Sequence, residues 1–180
     1  MSKTSLPLSI PMLRRSRVTI ALCAMMSAVL ACRSNPAPDA TEASVAVRLE
    51  RGPCFGNCAE YVVEIFDDGT VRFDGRKNVN ALGAQRGSIA VSAVRALQQQ
   101  FVSAGFALLD TAYVEGAKGC GRFLSDGPRT VIGARSSTTM KIVQHDAGCT
   151  TAPRVLGALA AQVDSVARTS AWTTGTGGNK

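Results

Sequence analysis

Five residues carry the most reactive side chains of this 180-residue chain. Cys54 and Cys58 are separated by three residues, Cys120 and Cys149 follow, and His145 is the only histidine. Two thiolates and an imidazole make a soft donor set of the kind that holds copper or zinc. A close cysteine pair with a low-pKa thiol would also exchange disulfides. A helix N-terminus is what would lower such a thiol's pKa. Here Cys58 is followed at once by Glu60–Phe66 (EYVVEIF), a strand pattern, and neither cysteine opens an evident helix. The competing use of four cysteines in a small domain, in an oxidising compartment, is two disulfides. Three pairings are possible. Cys54–Cys58 with Cys120–Cys149 is preferred, because Phe55-Gly56-Asn57 supplies turn residues between the first two. Metal ligation by Cys54, Cys58 and His145 stands as the alternative.

Other reactive-looking residues have plainer uses. Asp67-Asp68 invites acid/base or calcium chemistry but precedes Gly69 between two strand-like runs, which is turn chemistry. Asp126-Gly127-Pro128 also reads as a turn. Gly116 to Gly121 (GAKGCG) lacks the Gly-Lys-Ser/Thr of a phosphate loop and reads as a loop holding Cys120. His145 could serve as a base only beside Cys149, which is expected to be bonded. A nucleophile elbow (Gly-x-Ser-x-Gly), a Walker loop and His-Glu-x-x-His are all missing from the sequence. No catalytic residue and no cofactor is therefore expected.

The remaining two cysteines lie near the start. Residues 1–17 contain Lys3, Arg14, Arg15 and Arg17 without an acid, and Val18 to Leu30 carries no charge. A spanning helix needs about 20 apolar residues. A basic run, a shorter apolar run and a small-residue end form the pattern of a signal peptide. Val29-Leu30-Ala31-Cys32 resembles the lipobox of bacterial lipoproteins. That resemblance implies cleavage after Ala31, with Cys32 as the new, acylated N-terminus (palmitate among its chains). An ordinary signal peptide cut near Ala31 is the competing reading. Several acyl chains would anchor the protein stably, at about 0.8 kcal/mol per buried methylene. Residues 1–31 are thus assigned to the signal peptide and 32–44 to a lipidated, polar, proline-containing tether. The formal charge of +7 falls to +3 once those four cations leave, sixteen Lys/Arg facing thirteen Asp/Glu. Scattered cations at that balance exclude a nucleic-acid footprint.

The elements that would position the cysteines are legible in pieces. Val45 to Glu50 (VAVRLE) alternates as a half-buried strand does. Around Asp67-Asp68-Gly69 a three-residue loop sets Ile65 against Val71, Val63 against Phe73 and Glu64 against Arg72. One face is then apolar and the other carries an opposite-charge pair. Gly69 takes the left-handed position that such a loop requires. Arg86 to Ala90 is read as a short strand. Ser92 is placed as the cap of a helix over 93–104 that Gly105 ends, with Val94, Leu97 and Phe101 on one face. A second hairpin is placed at Thr130–Arg135 and Thr139–Val143 around Ser136-Ser137. The last helix is expected from near Thr151 with Pro153 in its first turn and Leu156, Leu159, Val163 and Val166 buried. Trp172 is expected to fold back onto the core, and 173–180 to be disordered. The fold class is α+β: an antiparallel β-sheet built from hairpins, two packed α-helices and two disulfides, in one domain over 45–172.

Cys54-Phe-Gly-Asn-Cys58-Ala-Glu-Tyr61, followed by Asp68-Gly69-Thr-Val, resembles a family of uncharacterised bacterial envelope domains with a CFGxCPxY and DGxV signature. Asp126-Gly-Pro128, the stretch from His145 to Cys149, the final leucine-bearing helix and Trp172 extend the likeness over about Val45 to Trp172. This chain has Ala59 where the family has proline. The family is a domain of unknown function, so the resemblance implies no catalytic or binding residues. Two classes of function follow. The first is a non-catalytic lipoprotein of the cell envelope, on the outer membrane facing the periplasm in a diderm, that binds an envelope protein, peptide or glycan. The second is a copper- or thiol-handling protein built on Cys54, Cys58 and His145. The lack of catalytic motifs favours the first.

Overall fold

The strand that starts the domain, β1 (Val45–Arg51), ends in the middle of its sheet. The computed structural model describes residues 43–174; the expected signal peptide, Cys32, nearly all of the tether and residues 175–180 lie outside the described residues. Six further strands follow: β2 (Glu60–Phe66), β3 (Thr70–Lys77), β4 (Gly83–Ser88), β5 (Ala112–Tyr113), β6 (Arg129–Ser136) and β7 (Thr139–Asp146). They lie in the order β4-β3-β2-β1-β6-β7-β5. Every pairing is antiparallel except the short β5–β7 pair, which is parallel. The α+β class with an antiparallel sheet is as expected; the parallel edge is an addition. Two residues are too short a run to show any periodicity.

Alternation decides which face is covered. Val47 and Leu49 of β1, Val63 and Ile65 of β2 and Val71 of β3 are fully buried on one side. On the other side Arg48 pairs with Glu50 at 2.9 Å, and Arg76 reaches Glu50 at 2.7 Å. The β2–β3 register is the expected one: Ile65 opposite Val71, Val63 opposite Phe73, Glu64 opposite Arg72. Gly69 has φ of 88°, and a side chain there would run into the Ile89 carbonyl. The β6–β7 hairpin also forms, with Ser136 paired to Thr139 and Ser137 at φ of 56°.

Two helices, α1 (Val91–Ser103) and α2 (Val155–Ala167), pack on the apolar face. Val94, Leu97 and Phe101 of α1 are buried, as are Leu156, Leu159 and Val163 of α2, while Val166 is partly buried. Each fully buried side chain of this size contributes about 1.5–3 kcal/mol. Both helix starts differ from expectation. Ser92 does not cap α1; the helix begins at Val91 after Ala90, with no side-chain cap. β4 runs earlier than expected, from Gly83, and Ile89 still donates to the Gly69 carbonyl at 2.9 Å, so sheet pairing sets where the helix begins. Gly105 does turn the chain after α1, at φ of 65°. The helix α2 starts at Val155, not near Thr151, and Pro153 precedes it. Thr151 N–H is held by the Cys120 carbonyl at 3.2 Å, so residues beside Cys149 are tied down and helix starts only beyond them.

Trp172 sits on a last turn, α3 (Ser170–Thr173), and stacks on Phe73 with ring centroids 5.0 Å apart. Its indole lies over Gly87, where an added Cβ would come within 3.1 Å. The Trp172 carbonyl accepts from Asn80 and Ala81 N–H at 2.9 and 3.0 Å. Thr173, expected in the tail, belongs to α3.

Candidate functional site at the disulfide-bonded end

The inward phase of β1 runs Val47, Leu49, Arg51, so its last residue points a guanidinium under the helices. Arg51 lies opposite Tyr61 on β2 and opposite Thr130 on β6. Thr130 in turn lies opposite His145 on β7, and His145 beside Tyr113 on β5. Tyr61, Arg51, Thr130, His145 and Tyr113 therefore form one row across five strands, at the end of the sheet away from Ser44.

Asp164 of α2 comes down onto this row. Arg51 donates to its Oδ2 from Nε at 3.1 Å and from the terminal nitrogen at 2.6 Å. Tyr61 donates to Oδ1 at 2.6 Å and Thr169 to the same oxygen at 3.1 Å. One carboxylate thus accepts four bonds while the Arg51 and Asp164 side chains are 25% and 21% exposed, enough burial to make these bonds worth more than surface pairs. Burial pushes the Tyr61 phenol up to about 12, helped by its bond to Asp164. Burial alone would lower Arg51, but Asp164 more than offsets it and the guanidinium sits above its ordinary value. Burial also lowers His145 despite Asp146 beside it, with Arg51 adding to the drop. His145 is thereby biased to the neutral form. Its Nδ1 lies 3.4 Å from the Thr130 hydroxyl, and its ring borders a cleft of about 350 Å³ shared with Cys149, Thr150, Pro153 and Arg154.

The loops around this row are cross-linked. Cys54 is bonded to Cys58 and Cys120 to Cys149, the preferred pairing. Gly52 donates to the Arg129 carbonyl at 2.8 Å and Asn78 Nδ2 to the Cys58 carbonyl at 3.0 Å, so both feet of the first loop are held. Phe55 at its tip is 86% exposed. Cys120 and Cys149 are buried, and Asp146, also buried, accepts the Gly148 N–H at 2.9 Å to shape the turn before Cys149. Gly116 to Gly121 is the loop that carries Cys120, and Asp126 lies in a turn.

The sequence-derived candidates do not converge on a metal. Cys54 borders one cleft with Phe123 and Asp146, Cys58 another with Arg51 and Tyr61, and His145 a third. Among the described residues no three His, Cys, Asp or Glu side chains gather as a metal-holding group. Cys32 lies outside the described residues. Sequence reading missed the Arg51–Asp164–Tyr61–Thr169 cluster. Two signals were available: Arg51 keeps the inward phase of β1, and Asp164 is a lone carboxylate beside the apolar stripe of α2.

The segment from β1 to the last residue of α2 is also what relates the chain to others. The profile of the domain of unknown function DUF6438 matches residues 45–167. The chain belongs to that family. No curated protein matches the sequence. As a DUF6438 domain it owes its disulfide-bonded end and its polar row to residues within the matched span; Phe73–Trp172 stacking reaches just beyond it.

Proposed function

We propose that this DUF6438 chain is an exported lipoprotein, acylated at Cys32, whose domain is a non-catalytic binding module in the cell envelope. The observation that carries the binding role is Phe55. A large apolar side chain, 86% exposed, stands at the tip of a loop closed by a disulfide. Isolated apolar residues on a surface need no explanation, but a rigid aromatic tip has the character of an interface anchor. β1 separates this loop from Ser44, where the tether joins the domain, by about 20 Å at 3.3 Å per residue. Bonded to each other, Cys54 and Cys58 offer no thiolate to a metal or a redox partner, which argues against the copper- or thiol-handling reading. The partner class that fits a small apolar tip is an envelope protein or peptide, with a glycan as the outcome that a sugar-competition arm would reveal.

Two experiments test the two halves. Cys32→Ala should abolish palmitate labelling and release the protein from the membrane fraction; labelling that persists ends the lipoprotein reading. Phe55→Ser should keep the melting temperature and lose whatever the full chain captures from envelope extract. Capture that survives the substitution removes Phe55 from the binding role.

A further inference from the structure

The opposite end of the sheet carries a different surface. Gly105, at φ of 65°, turns the chain out of α1 into a single 3-10 turn, Phe106–Leu108. Phe106 goes inward, edge-on to Phe101 with centroids 5.0 Å apart, and Leu108 is left outward and 91% exposed. Val102 beside it is 73% exposed. Together with Arg135 and Lys141 of the β6–β7 hairpin these residues line a groove of about 250 Å³, chiefly apolar on its floor and cationic on its rim.

The two cations are held in place by neutral groups. Arg135 donates to the carbonyls of Val45 and Thr138 at 2.8 and 3.1 Å, and Lys141 to that of Leu109 at 2.7 Å. Neither is paired with a carboxylate among the described residues, so their charge is free to act on something outside the domain. Among the described residues of the β2–β3 turn at this end, Asp67 accepts the Ser44 N–H and Asp68 accepts from Thr70. Arg135 also ties the groove to the point where the chain enters the domain, because its partner Val45 is the first residue of β1.

We propose that this groove rests on the bilayer that holds the lipid anchor, with Leu108 and Val102 dipping into the interface and Arg135 and Lys141 facing anionic headgroups. The inference rests on acylation at Cys32. Eleven residues, 33 to 43, then separate the anchor from Ser44. Even fully stretched they reach no more than about 40 Å. Of the two ends of the sheet, the one bearing the groove is the one where the tether joins the domain. Exposed aliphatic side chains ringed by cations are the composition that settles at an anionic interface.

The full lipidated Leu108→Trp chain, in vesicles of phosphatidylethanolamine and phosphatidylglycerol with brominated acyl chains, tests this. Leu108 makes few contacts to lose, so the substitution leaves the fold intact, and the native Trp172, stacked on Phe73 over β3 and β4 at the opposite edge of the sheet from β6 and β7, is the internal reference. The expected result is blue-shifted emission from the introduced indole and loss of most of its fluorescence to bromine, with Trp172 in the unsubstituted chain unaffected. Replacing phosphatidylglycerol by a neutral lipid, or substituting Arg135→Gln with Lys141→Gln, should weaken that quenching. Vesicle flotation read on the same samples separates the two claims. Flotation without quenching overturns the docking surface alone; absence of flotation overturns the anchor and this surface with it. A blue shift that persists without vesicles shows the groove covered by protein, the chain's own segment or a second copy, and also overturns the proposal.

Discussion

The two ends of the sheet are closed by different means. At the end near Ser44 the strands are joined by tight turns, Asp67 to Gly69 and Ser137 to Thr138, and α1 covers them with Val94, Leu97 and Phe101. At the other end the β3–β4 link is short, but 52–59, 114–128 and 147–154 are long and irregular. That end is held by two disulfides and by the bonds converging on Asp164. The difference has a simple cause. A short turn completes its own hydrogen bonding and leaves an apolar face for a helix. A long loop exposes backbone groups and buries little, so it needs covalent links, side-chain bonds or both. The cross-linked end can therefore present a rigid tip such as Phe55, whereas the helix-covered end can present only what its helix leaves outside, Val102 and Leu108.

The sharpest test of this contrast is removal of the longer bridge. Cys120→Ser with Cys149→Ser opens a link between residues 29 apart, and loss of about 3–4 kcal/mol follows from the chain-entropy relation. Amide exchange should rise first in 114–128 and around the start of α2, while the β2–β3 hairpin stays protected. Equal exchange at both ends would break the comparison. Opening Cys54–Cys58, four residues apart, should cost less, about 2 kcal/mol.

Gly69→Val probes the other end. A β-branched residue at φ of 88°, aimed at the Ile89 carbonyl, should destabilise by about 2–3 kcal/mol in urea titration. Little change would mean that the turn, and with it the register of the helix-covered end, matters less than the packing above it. Asp164→Ala should cost somewhat less, about 2 kcal/mol, since the pair is partly solvated. Arg51→Met with Asp164→Leu should recover much of that loss, because the penalty comes from orphaned partners.

The smallest effects are in pH. Tyr61 has a raised pKa, so its contribution is complete below the ordinary value of 10.0 and is lost as pH rises toward about 12. Tyr61→Phe should flatten the fall of melting temperature in that window. His145 has a lowered pKa, so its contribution is complete above 6.5 and is lost as pH falls through its depressed folded value. His145→Gln should remove part of the sensitivity just below pH 6.5, whereas the hairpin near Ser44, where bonds from Thr70 lower Asp68, gives up its contribution only as pH falls below 3.8.

Legibility followed the range of the interactions. The β2–β3 register could be read because one choice of loop length put Ile65, Val63, Val71 and Phe73 on one face and the other choice mixed them. The disulfide pairing could be read for Cys54–Cys58 from the turn between them, leaving Cys120 and Cys149 to each other. The helix starts could not. Where α1 begins depends on how far β4 stays paired, and where α2 begins depends on what Cys120 holds beside Cys149. The candidate site was half legible: Tyr61 lies in the CFGNCAEY motif, but its partner Asp164 is 103 residues away.

By itself, the sequence determined what neighbours along the chain decide: strand alternation, the Gly69 and Gly105 turns, the apolar stripes of both helices, and membership of the α+β class. These depend on residue period and local backbone freedom, which are properties of short segments. Only the tertiary structure decided that β1 is central, that β5 adds a parallel edge, and that Arg51, Thr130 and His145 share one row beneath Asp164. Strand order is set by which apolar faces find each other after the local elements exist, and a hydrogen bond between residues far apart in sequence leaves no periodic trace in either.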